Sequence, residues 1–246
     1  MHGDEYCLGF LKKKLFFYPE TGSRKRATLT KLPENVIMGC RSICARNFTG
    51  TVSRGNKLHI YDLLMFPLER FLLNDIRREI ISKANGNVLE LGIGTGVNIS
   101  YYDRYKVNSF TGFDRKLYRG LAKKAQSYKG NFMEGTVENL PFPDNCFDTI
   151  VGTLLLCSVA DTDKALGEIK RVLKPNGTYL FIEHILPEEK KLAGYFTAAN
   201  KVWPKLTNGC NLNRRTDIAI KRSGFDILEM GKKGNNIFCY GIVQKR

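Results

Sequence analysis

The sequence has few of the features that mark membrane-spanning, metal-binding or secreted proteins. No apolar run reaches the roughly 18 residues that a membrane-spanning helix needs, and the longest, residues 149–160, is typical of a buried strand. The seven cysteines are scattered, only three histidines are present and no CxxC pair occurs, so we predict reduced thiols and no bound metal. Cys40 and Cys44 are the one close pair, as CxxxC, and a redox or metal role for them is the alternative. Residues 1–14 carry acids before lysines, the reverse of the order in a secretory signal, and we therefore expect a cytoplasmic protein.

Acidic residues are scarce at both ends of the chain. Residues 1–55 hold ten Lys or Arg against four Asp or Glu, residues 187–246 hold twelve against five, and the middle is nearly balanced at seventeen against fifteen. A basic surface attracts anionic partners such as lipid headgroups, nucleic acid and acidic metabolites. We interpret residues 1–57 as a basic, partly ordered extension with two open roles: peripheral contact with an anionic membrane, or a lid over a pocket.

Downstream of the extension, the hydrophobic pattern becomes that of an α/β domain at residues 58–246. Residues 58–84 predict a helical cap that is broken at Pro67. From Val88 onward, short apolar strands alternate with helical segments, which predicts a doubly wound, Rossmann-like sheet of seven strands, mostly parallel and closed by an antiparallel strand. The predicted strands are 88–91, 109–114, 131–135, 147–157, 178–185 and a pair after residue 224. The predicted helices are 97–105, 117–127, 162–173, 192–206 and 216–223, and a turn is predicted at 174–177.

The segment NVLELGIGTGVNISYY, residues 87–102, places three glycines directly after the first predicted strand. Two interpretations compete: the phosphate-binding turn of a dinucleotide-binding protein, or the cofactor turn of a methyltransferase. A dinucleotide turn has the form G-x-G-x-x-G or A. Here that third position holds Val97, and the third glycine comes one residue earlier, as Gly96. The spacing therefore favours the methyltransferase turn.

Two acids next to the glycine turn narrow the choice of cofactor. Glu90 lies two residues before the first glycine, where its charge would repel the pyrophosphate of a dinucleotide. A cofactor with a cationic amino-acid end and no phosphate fits better, and S-adenosylmethionine, which leaves as S-adenosylhomocysteine, has both properties. Asp114 ends the second predicted strand and would accept hydrogen bonds from the ribose hydroxyls of that cofactor.

Several motifs resemble those of a known family. VLELGIGTG, ENLPFPDNCFD and RVLKPNGTYLFIEH are similar to segments of the class I S-adenosylmethionine-dependent methyltransferases, in particular the ubiquinone/menaquinone C-methyltransferase type. TLLLCSV, NGCNLNRRT and YDLLMFPLE resemble the thiol methyltransferase-like group and its phospholipid N-methyltransferase-like relatives. The resemblance covers roughly residues 58–246, and nothing in residues 1–55 takes part in it.

The resemblance implies roles for individual residues. Glu90 and the three glycines would line the methionine moiety, whereas Asp114 and Arg115 would border the ribose and the adenine. Relatives usually carry an acid after the third strand that binds the adenine amino group; this chain has Thr136 there, so the contact would pass to its hydroxyl or to the Val137 backbone. The implied cofactor-binding residues are Tyr61, Glu90, Gly92, Gly94, Gly96, Asp114, Arg115, Thr136, Val137 and Leu154, with Leu154 beneath the sulfonium and Tyr61 closing over the cofactor.

Methyl transfer is an in-line displacement, so alignment of the reacting atoms is the main task of the enzyme. A base is needed only if the acceptor must lose a proton, and Glu183 and His184, at the end of the fifth predicted strand, are the candidates for base or orienter. Cys157 and Cys210 are interpreted as packing residues, since direct transfer needs no covalent enzyme intermediate. Asn208 stands where the thiol-type enzymes carry an acid. If that acid assists the acceptor in those enzymes, this chain has a different acceptor.

The sequence leaves several acceptors open. A small apolar or amphipathic thiol is the first choice, and a phospholipid amine or a quinone carbon is the alternative. An alternative from a different functional class is that the protein binds or modifies RNA. Nucleic acid is disfavoured because the basic residues show no single-strand stacking pattern, and because LLLCSV stands where nucleic-acid amino-methylating enzymes have Asn/Asp-Pro-Pro-aromatic. The oligomeric state is left open.

Overall fold

The computed structural model of the protein describes residues 72–118, 120–124, 126–128, 130–207 and 209–246. Five predictions lie outside these residues: the extension at 1–57, the state of Cys40 and Cys44 within it, the part of the helical cap before residue 72 with its break at Pro67, the cofactor contact of Tyr61, and the role of Asn208. The boundary between extension and domain stays a prediction.

The described strands are β1 (Gly86–Leu91), β2 (Val107–Asp114), β3 (Asn131–Glu134), β4 (Phe147–Thr153), β5 (Leu173–His184), β6 (Asp226–Lys233) and β7 (Phe238–Gln244). They form one sheet in the order β3–β2–β1–β4–β5–β7–β6. Strands β1 to β5 pair in parallel, whereas β7 runs antiparallel to both β5 and β6. The predicted seven-stranded, mostly parallel sheet is confirmed, with its antiparallel strand one position in from the edge.

The described α-helices are α1 (Asn74–Ile81), α2 (Leu121–Lys124), α3 (Thr162–Val172), α4 (Lys190–Ala199), α5 (Trp203–Leu206) and α6 (Thr216–Arg222). Short 3₁₀ turns occupy Val97–Tyr101 and Gln126–Tyr128. Within the described part of the chain, no helix combines the length and the apolar character that crossing a bilayer requires.

Apolar side chains cover both faces of the sheet, as a doubly wound fold requires. Ile150 and Val151, neighbours on β4, are both fully buried, and consecutive strand residues point to opposite faces. Ile150 belongs to the core that contains Leu166 and Ile169 of α3, whereas Val151 belongs to the core that contains Ile80 of α1. The helices therefore flank the sheet on two sides, and the predicted doubly wound fold is confirmed.

Three predicted helices are shorter or divided in the structure. The helix predicted at 117–127 begins only at Leu121, and α2 (Leu121–Lys124) is followed by the 3₁₀ turn Gln126–Tyr128. The helix predicted at 97–105 is a single 3₁₀ turn that ends at Tyr101, because the chain becomes extended at Tyr102 with φ −70° and ψ 139°. The helix predicted at 192–206 divides into α4 and α5. Pro204 lies in the first turn of α5, a place where its missing N–H is tolerated, whereas in the middle of a continuous helix it would break a hydrogen bond.

The fifth strand also begins earlier than predicted. Pairing with β4 starts at Leu173 and resumes at Thr178, so the predicted turn at 174–177 lies inside β5 as an irregularity in the register. Asn176 has a φ of 63° there, and its N–H donates to the carbonyl of Lys245 at 3.0 Å. The turn chemistry was recognised in the sequence, but the continuation of pairing across it was not.

The strand order reverses between β1 and β4. From β1 the sheet continues to β2 and β3 on one side, and from β4 it continues to β5 on the other. Ligands of open α/β sheets bind beyond the carboxyl ends of the strands at such a point. Gly92, Asp114 and Leu154 stand at the carboxyl ends of β1, β2 and β4, so the fold brings these three predicted site residues to one place.

Candidate cofactor and active site

A cleft of about 590 Å³ opens at this reversal point. Its walls come from the turn after β1, the end of β2, the loop after β3 and the segment after β4. Eight of the ten predicted cofactor-binding residues line it: Glu90, Gly92, Gly94, Asp114, Arg115, Thr136, Val137 and Leu154. Most of the predicted residues therefore meet at one cleft, and their contacts with a cofactor stay a prediction.

The glycine turn has two parts with different tasks. Gly94 has a φ of 51°, and its N–H donates to Asp114 Oδ2 at 2.8 Å, which bends the turn around the end of β2. Gly96 has a φ of 75°, and a Cβ there would lie 2.7 Å from Ile99 and 2.9 Å from Leu121. Gly96 is not among the residues that line the cleft, and its missing side chain lets the turn pack on the core; its implied contact with the methionine moiety stays a prediction.

Glu90 is the charged centre of a buried network. It is 1% exposed, and it accepts hydrogen bonds from Tyr102 Oη at 2.8 Å and from Asn98 Nδ2 at 3.0 Å. The guanidinium of Arg77 donates to the other end of the Asn98 amide. Burial raises the pKa of Glu90 to about 7, against the two hydrogen bonds and the charge of Arg77, which lower it. A cation in the cleft would therefore favour the ionised form of Glu90.

The pKa of Glu90 predicts that cofactor affinity depends on pH. Below about pH 7 this carboxyl holds a proton, which must leave before a cationic ammonium can be stabilised beside it. Affinity for S-adenosylmethionine should be highest above pH 7 and fall by up to about tenfold for each pH unit below it, as measured by calorimetric titration from pH 5.5 to 8.5, a range of roughly one to two units around that pKa. The same series on Glu90→Gln should lose this slope; an unchanged slope would assign the pH dependence to another group.

Asp114 joins the second strand to the turn. Its Oδ2 accepts the Gly94 N–H at 2.8 Å, and its Oδ1 accepts the Lys116 N–H at 3.3 Å. The carboxylate also lines the cleft, so its remaining lone pairs can accept the ribose hydroxyls that the sequence predicts for it. Asp114 thus both shapes the turn and offers acceptors to the cofactor.

Sequence reasoning missed two groups of residues. The first group, which builds the Glu90 network, is Arg77, Asn98 and Tyr102. No sequence motif marks these residues, and the charged side of a helix such as α1, which carries Arg77, ordinarily faces water. Glu138 accepts the Ala160 N–H at 2.7 Å and so ties the loop after β3 to the segment after β4. The sequence signal that could have identified Glu138 is the acidic residue that begins the motif ENLPFPD.

Glu183 is fully buried, at 0% exposure, and does not line the cleft. Its Oε1 accepts the N–H groups of Leu155 at 3.1 Å and Leu156 at 2.8 Å, and its Oε2 accepts that of Cys157 at 3.2 Å. Burial raises the pKa of Glu183 to about 8, whereas the three N–H donors lower it. Glu183 thus lies outside the lining of the cleft with its oxygens bound to the backbone of the segment after β4, and its role as a base stays a prediction.

The segment that Glu183 holds begins with an unusual residue. Leu154 has a φ of 53°, a conformation that costs a residue with a Cβ on the order of 1 kcal/mol. Its own N–H donates to the Ile182 carbonyl at 2.7 Å. Four consecutive N–H groups, those of residues 154–157, are therefore bound by the end of β5, and this fixes Leu154 in the wall of the cleft.

His184 also lies away from the cleft. It is 6% exposed, its ring stacks on Phe196 with centroids 5.3 Å apart, and Phe238 meets it edge-on at 5.8 Å. Burial lowers the pKa of His184 to about 4, so the ring is neutral near pH 7. Its Nδ1 has no hydrogen-bond partner among the described residues. The structure supports a packing role, and a role as base stays a prediction.

We expect Glu183→Gln to weaken the fold more than the chemistry. A carboxamide cannot accept from all three N–H groups, and a buried donor without an acceptor costs about 1–3 kcal/mol. The free energy of unfolding in urea should fall by that amount, while the variant keeps measurable turnover at a temperature where it is folded. Unchanged stability with abolished turnover would instead make Glu183 a base, as the sequence had suggested.

Comparison with known proteins agrees with this geometry. Residues 89–181 match the family model described as "Methyltransferase domain". Mouse thiol S-methyltransferase TMT1B is 31% identical over 168 residues, which cover 63% of this chain and 69% of that protein. The chain is an S-adenosylmethionine-dependent methyltransferase. Human thiol S-methyltransferase TMT1A is 29% identical to the methyltransferase over 178 residues, 70% of this chain and 72% of that one.

Other similar proteins extend the methyltransferase family beyond thiol enzymes. Phosphatidylethanolamine N-methyltransferase of Cereibacter sphaeroides is 28% identical over 58% of this chain and 69% of that protein. The solved structure of an S-adenosylmethionine-dependent methyltransferase from Mesorhizobium loti has a TM-score of 0.55 at 14% identity, covering 70% of this chain and 96% of that one. The [4+2]-cyclase SpnF has a TM-score of 0.56 at 20% identity, covering 70% and 79%. Both structural likenesses concern the fold alone.

The residues present in the methyltransferase suit its family's cofactor, S-adenosylmethionine. The cleft offers Glu90 as a buried carboxylate for a cationic group and Asp114 as a partly exposed one for hydroxyls. The turn between them carries no side chain at Gly92 and Gly94, so the backbone can be approached closely. No separate phosphate site is needed for this cofactor.

Proposed function

We propose that the methyltransferase transfers the methyl group of S-adenosylmethionine to the thiol of a small apolar or amphipathic acceptor. The observation that carries the proposal is that the carboxylates lining the cleft already accept hydrogen bonds from the chain. These bonds use part of the lone pairs of each carboxylate to hold the cleft together, so the described part of the cleft offers no carboxylate devoted to proton removal alone. These carboxylates are Glu90, Asp114, Glu138 and Asp161.

A thiol suits a cleft of this kind. It is a good nucleophile once ionised, and its ordinary pKa of about 8.5 leaves a few per cent of thiolate near neutrality without an enzyme base. Leu154 and Leu155 form an apolar wall after β4, which suits an apolar acceptor. The names of the relatives TMT1A and TMT1B support the same acceptor class.

Each group in the cleft then has a definable task. The bound cofactor supplies an electrophilic methyl group on a sulfonium. Glu90 holds the amino end through charge, and Asp114 holds the ribose through hydrogen bonds. Leu154 excludes water beside the methyl group, and the N–H bonds to β5 keep it there. Catalysis rests on alignment of the acceptor sulfur with the methyl–sulfur bond rather than on proton transfer.

The proposal is tested by methyl transfer from labelled S-adenosylmethionine to a panel of thiols, phosphatidylethanolamine and quinone precursors. We expect methylation of small alkyl and aryl thiols and binding of S-adenosylhomocysteine, with no binding of NAD. Methylation of phosphatidylethanolamine or of a quinone instead would favour the alternatives, which the names of other relatives support. Tight NAD binding without an S-adenosylmethionine signal would overturn the cofactor assignment itself.

A further inference from the structure

One surface outside the cleft is unusually rich in positive charge. Residues 190–206, which comprise α4, α5 and the turn between them and are called here the α4–α5 segment, contain four lysines and no Asp or Glu. All four side chains are exposed, and none forms an ion pair with a residue that the structure describes. These residues are Lys190, Lys191, Lys201 and Lys205.

Apolar side chains point outward between these lysines. Tyr195, Val202 and Leu206 are 73%, 58% and 50% exposed, and they make up three of the seven exposed large hydrophobic residues in the described ranges. With Ala199 they follow the spacing i, i+4, i+7 and i+11, by which a helical segment normally faces a core. Here that stripe faces solvent, and no residue of α4 is buried.

The opposite side of the segment is anchored next to the cleft. Phe196 and Trp203 pack on an apolar cluster that Leu154 also contacts; its buried members are Cys157, Cys210 and Leu212. Leu154 lines the cleft, and so does Thr207, which directly follows Leu206. One side of the segment therefore supports the wall of the cleft while the other faces outward.

We propose that the α4–α5 segment docks this methyltransferase on an anionic lipid bilayer, with the lysines at the headgroups and Tyr195, Val202 and Leu206 in the interfacial layer. Lysines beside an aromatic and aliphatic stripe are the composition of interfacial helices. Charge selects this occupant over a second copy of the chain, because a net charge of +15 makes two copies repel each other.

Docking of this kind has a consequence for the acceptor. The cluster behind Trp203 would hold the wall of the cleft close to the bilayer, so an acceptor dissolved among lipids could reach the cleft without crossing bulk water. This consequence rests on the proposed function, whereas the docking itself does not.

Trp203 is the chain's single tryptophan, and because it packs on the cluster side of the segment, a Tyr195→Trp variant places a second tryptophan on the outward stripe. The full-length protein is mixed with vesicles of phosphatidylcholine alone or with phosphatidylserine, each with and without brominated acyl chains that quench tryptophan. We expect co-sedimentation of the protein and of Tyr195→Trp with phosphatidylserine vesicles, with stronger quenching by brominated lipid in Tyr195→Trp, and little of either with phosphatidylcholine alone. Co-sedimentation without quenching would mean that another part of the chain binds, and would overturn the proposal.

Matched variants separate this surface from the rest of the molecule. Lys201→Glu with Lys205→Glu should lower vesicle partitioning by on the order of thirtyfold or more, and Val202→Ser with Leu206→Ser should lower it as well. The controls remove the same groups elsewhere: Lys221→Glu with Arg222→Glu, and Ile227→Ser with Leu228→Ser, all exposed positions. Equal effects in variants and controls would overturn the proposal.

Further measurements on the same variants distinguish the remaining explanations. Light scattering without lipid should show an unchanged molecular mass; dissociation of a dimer in the Val202 and Leu206 variant would assign the surface to self-association and overturn docking. Cofactor affinity and turnover of a soluble thiol should stay within about twofold, the tolerance of ordinary surface substitutions. If the unaltered protein methylates no thiol, the proposed function fails, yet the vesicle result still decides the docking.

Discussion

Glu90→Gln is expected to lower the affinity for S-adenosylmethionine by about tenfold to hundredfold while the domain stays folded. A hydrogen bond to an ionised group is worth about 1.5–3 kcal/mol, and the amide keeps the shape of the carboxylate but lacks its charge. Stability should not fall, because the substitution also removes the burial cost that raises the pKa of Glu90. Calorimetric titration gives the affinity, and thermal melting followed by circular dichroism gives the stability.

A matched exchange at an exposed position is the control for Glu90. Glu79 lies on the solvent side of α1, so Glu79→Gln should change neither affinity nor melting. A large loss of stability in Glu90→Gln would show that the carboxylate serves the Arg77–Asn98–Tyr102 network alone. Unchanged affinity would remove Glu90 from the cofactor site.

Asp114→Ala is expected to have a comparable effect for a different reason. It removes the acceptors for the Gly94 and Lys116 N–H groups as well as those offered to the ribose. Charge-assisted bonds of about 1.5–3 kcal/mol predict a tenfold to hundredfold loss of cofactor affinity. The cofactor affinity of Asp114→Asn should lie between that of the unaltered protein and that of Asp114→Ala, since its carboxamide oxygen can still accept the Gly94 N–H.

Asp103→Ala is the control for Asp114, because Asp103 also accepts a backbone N–H, that of Tyr105 at 2.9 Å, but does not line the cleft. It should leave cofactor affinity unchanged. A dissociation constant for Asp114→Ala equal to that of the unaltered protein would show that the acid at the end of β2 has no part in binding.

The cofactor side of the site was predictable because it depends on local chemistry. A strand, a turn with glycines at every second position and an acid at each end are visible in one stretch of sequence, and parallel strands bring their carboxyl ends together. Glu90, Gly94 and Asp114 were therefore located without coordinates. Gly96 was assigned to the cofactor for the same reason, and the structure adds a packing requirement that the sequence did not show, because a Cβ there would meet Ile99 and Leu121.

The catalytic side was not predictable in the same way. Glu183 ends a strand near the site, and the sequence gives no sign that three N–H groups, 26 to 28 residues earlier in the chain, would occupy its oxygens. Arg77 lies on a helix whose other charges face water, yet it is 3% exposed. Both outcomes depend on which partners tertiary packing supplies, and hydrophobic periodicity carries no information about that.

The hydrogen bonds that Glu183 accepts from the segment after β4 also bear on how that segment opens to solvent. The N–H groups of Leu155, Leu156 and Cys157 are bonded to one carboxylate rather than to a strand or helix ladder. In deuterated solvent, we expect the amides in the middle of β4 to exchange only when the sheet itself opens. The amides of these three residues should exchange when the Glu183 side chain alone moves away and breaks its hydrogen bonds. We therefore expect the segment after β4, which holds Leu154 in the wall of the cleft, to open locally while the sheet stays intact.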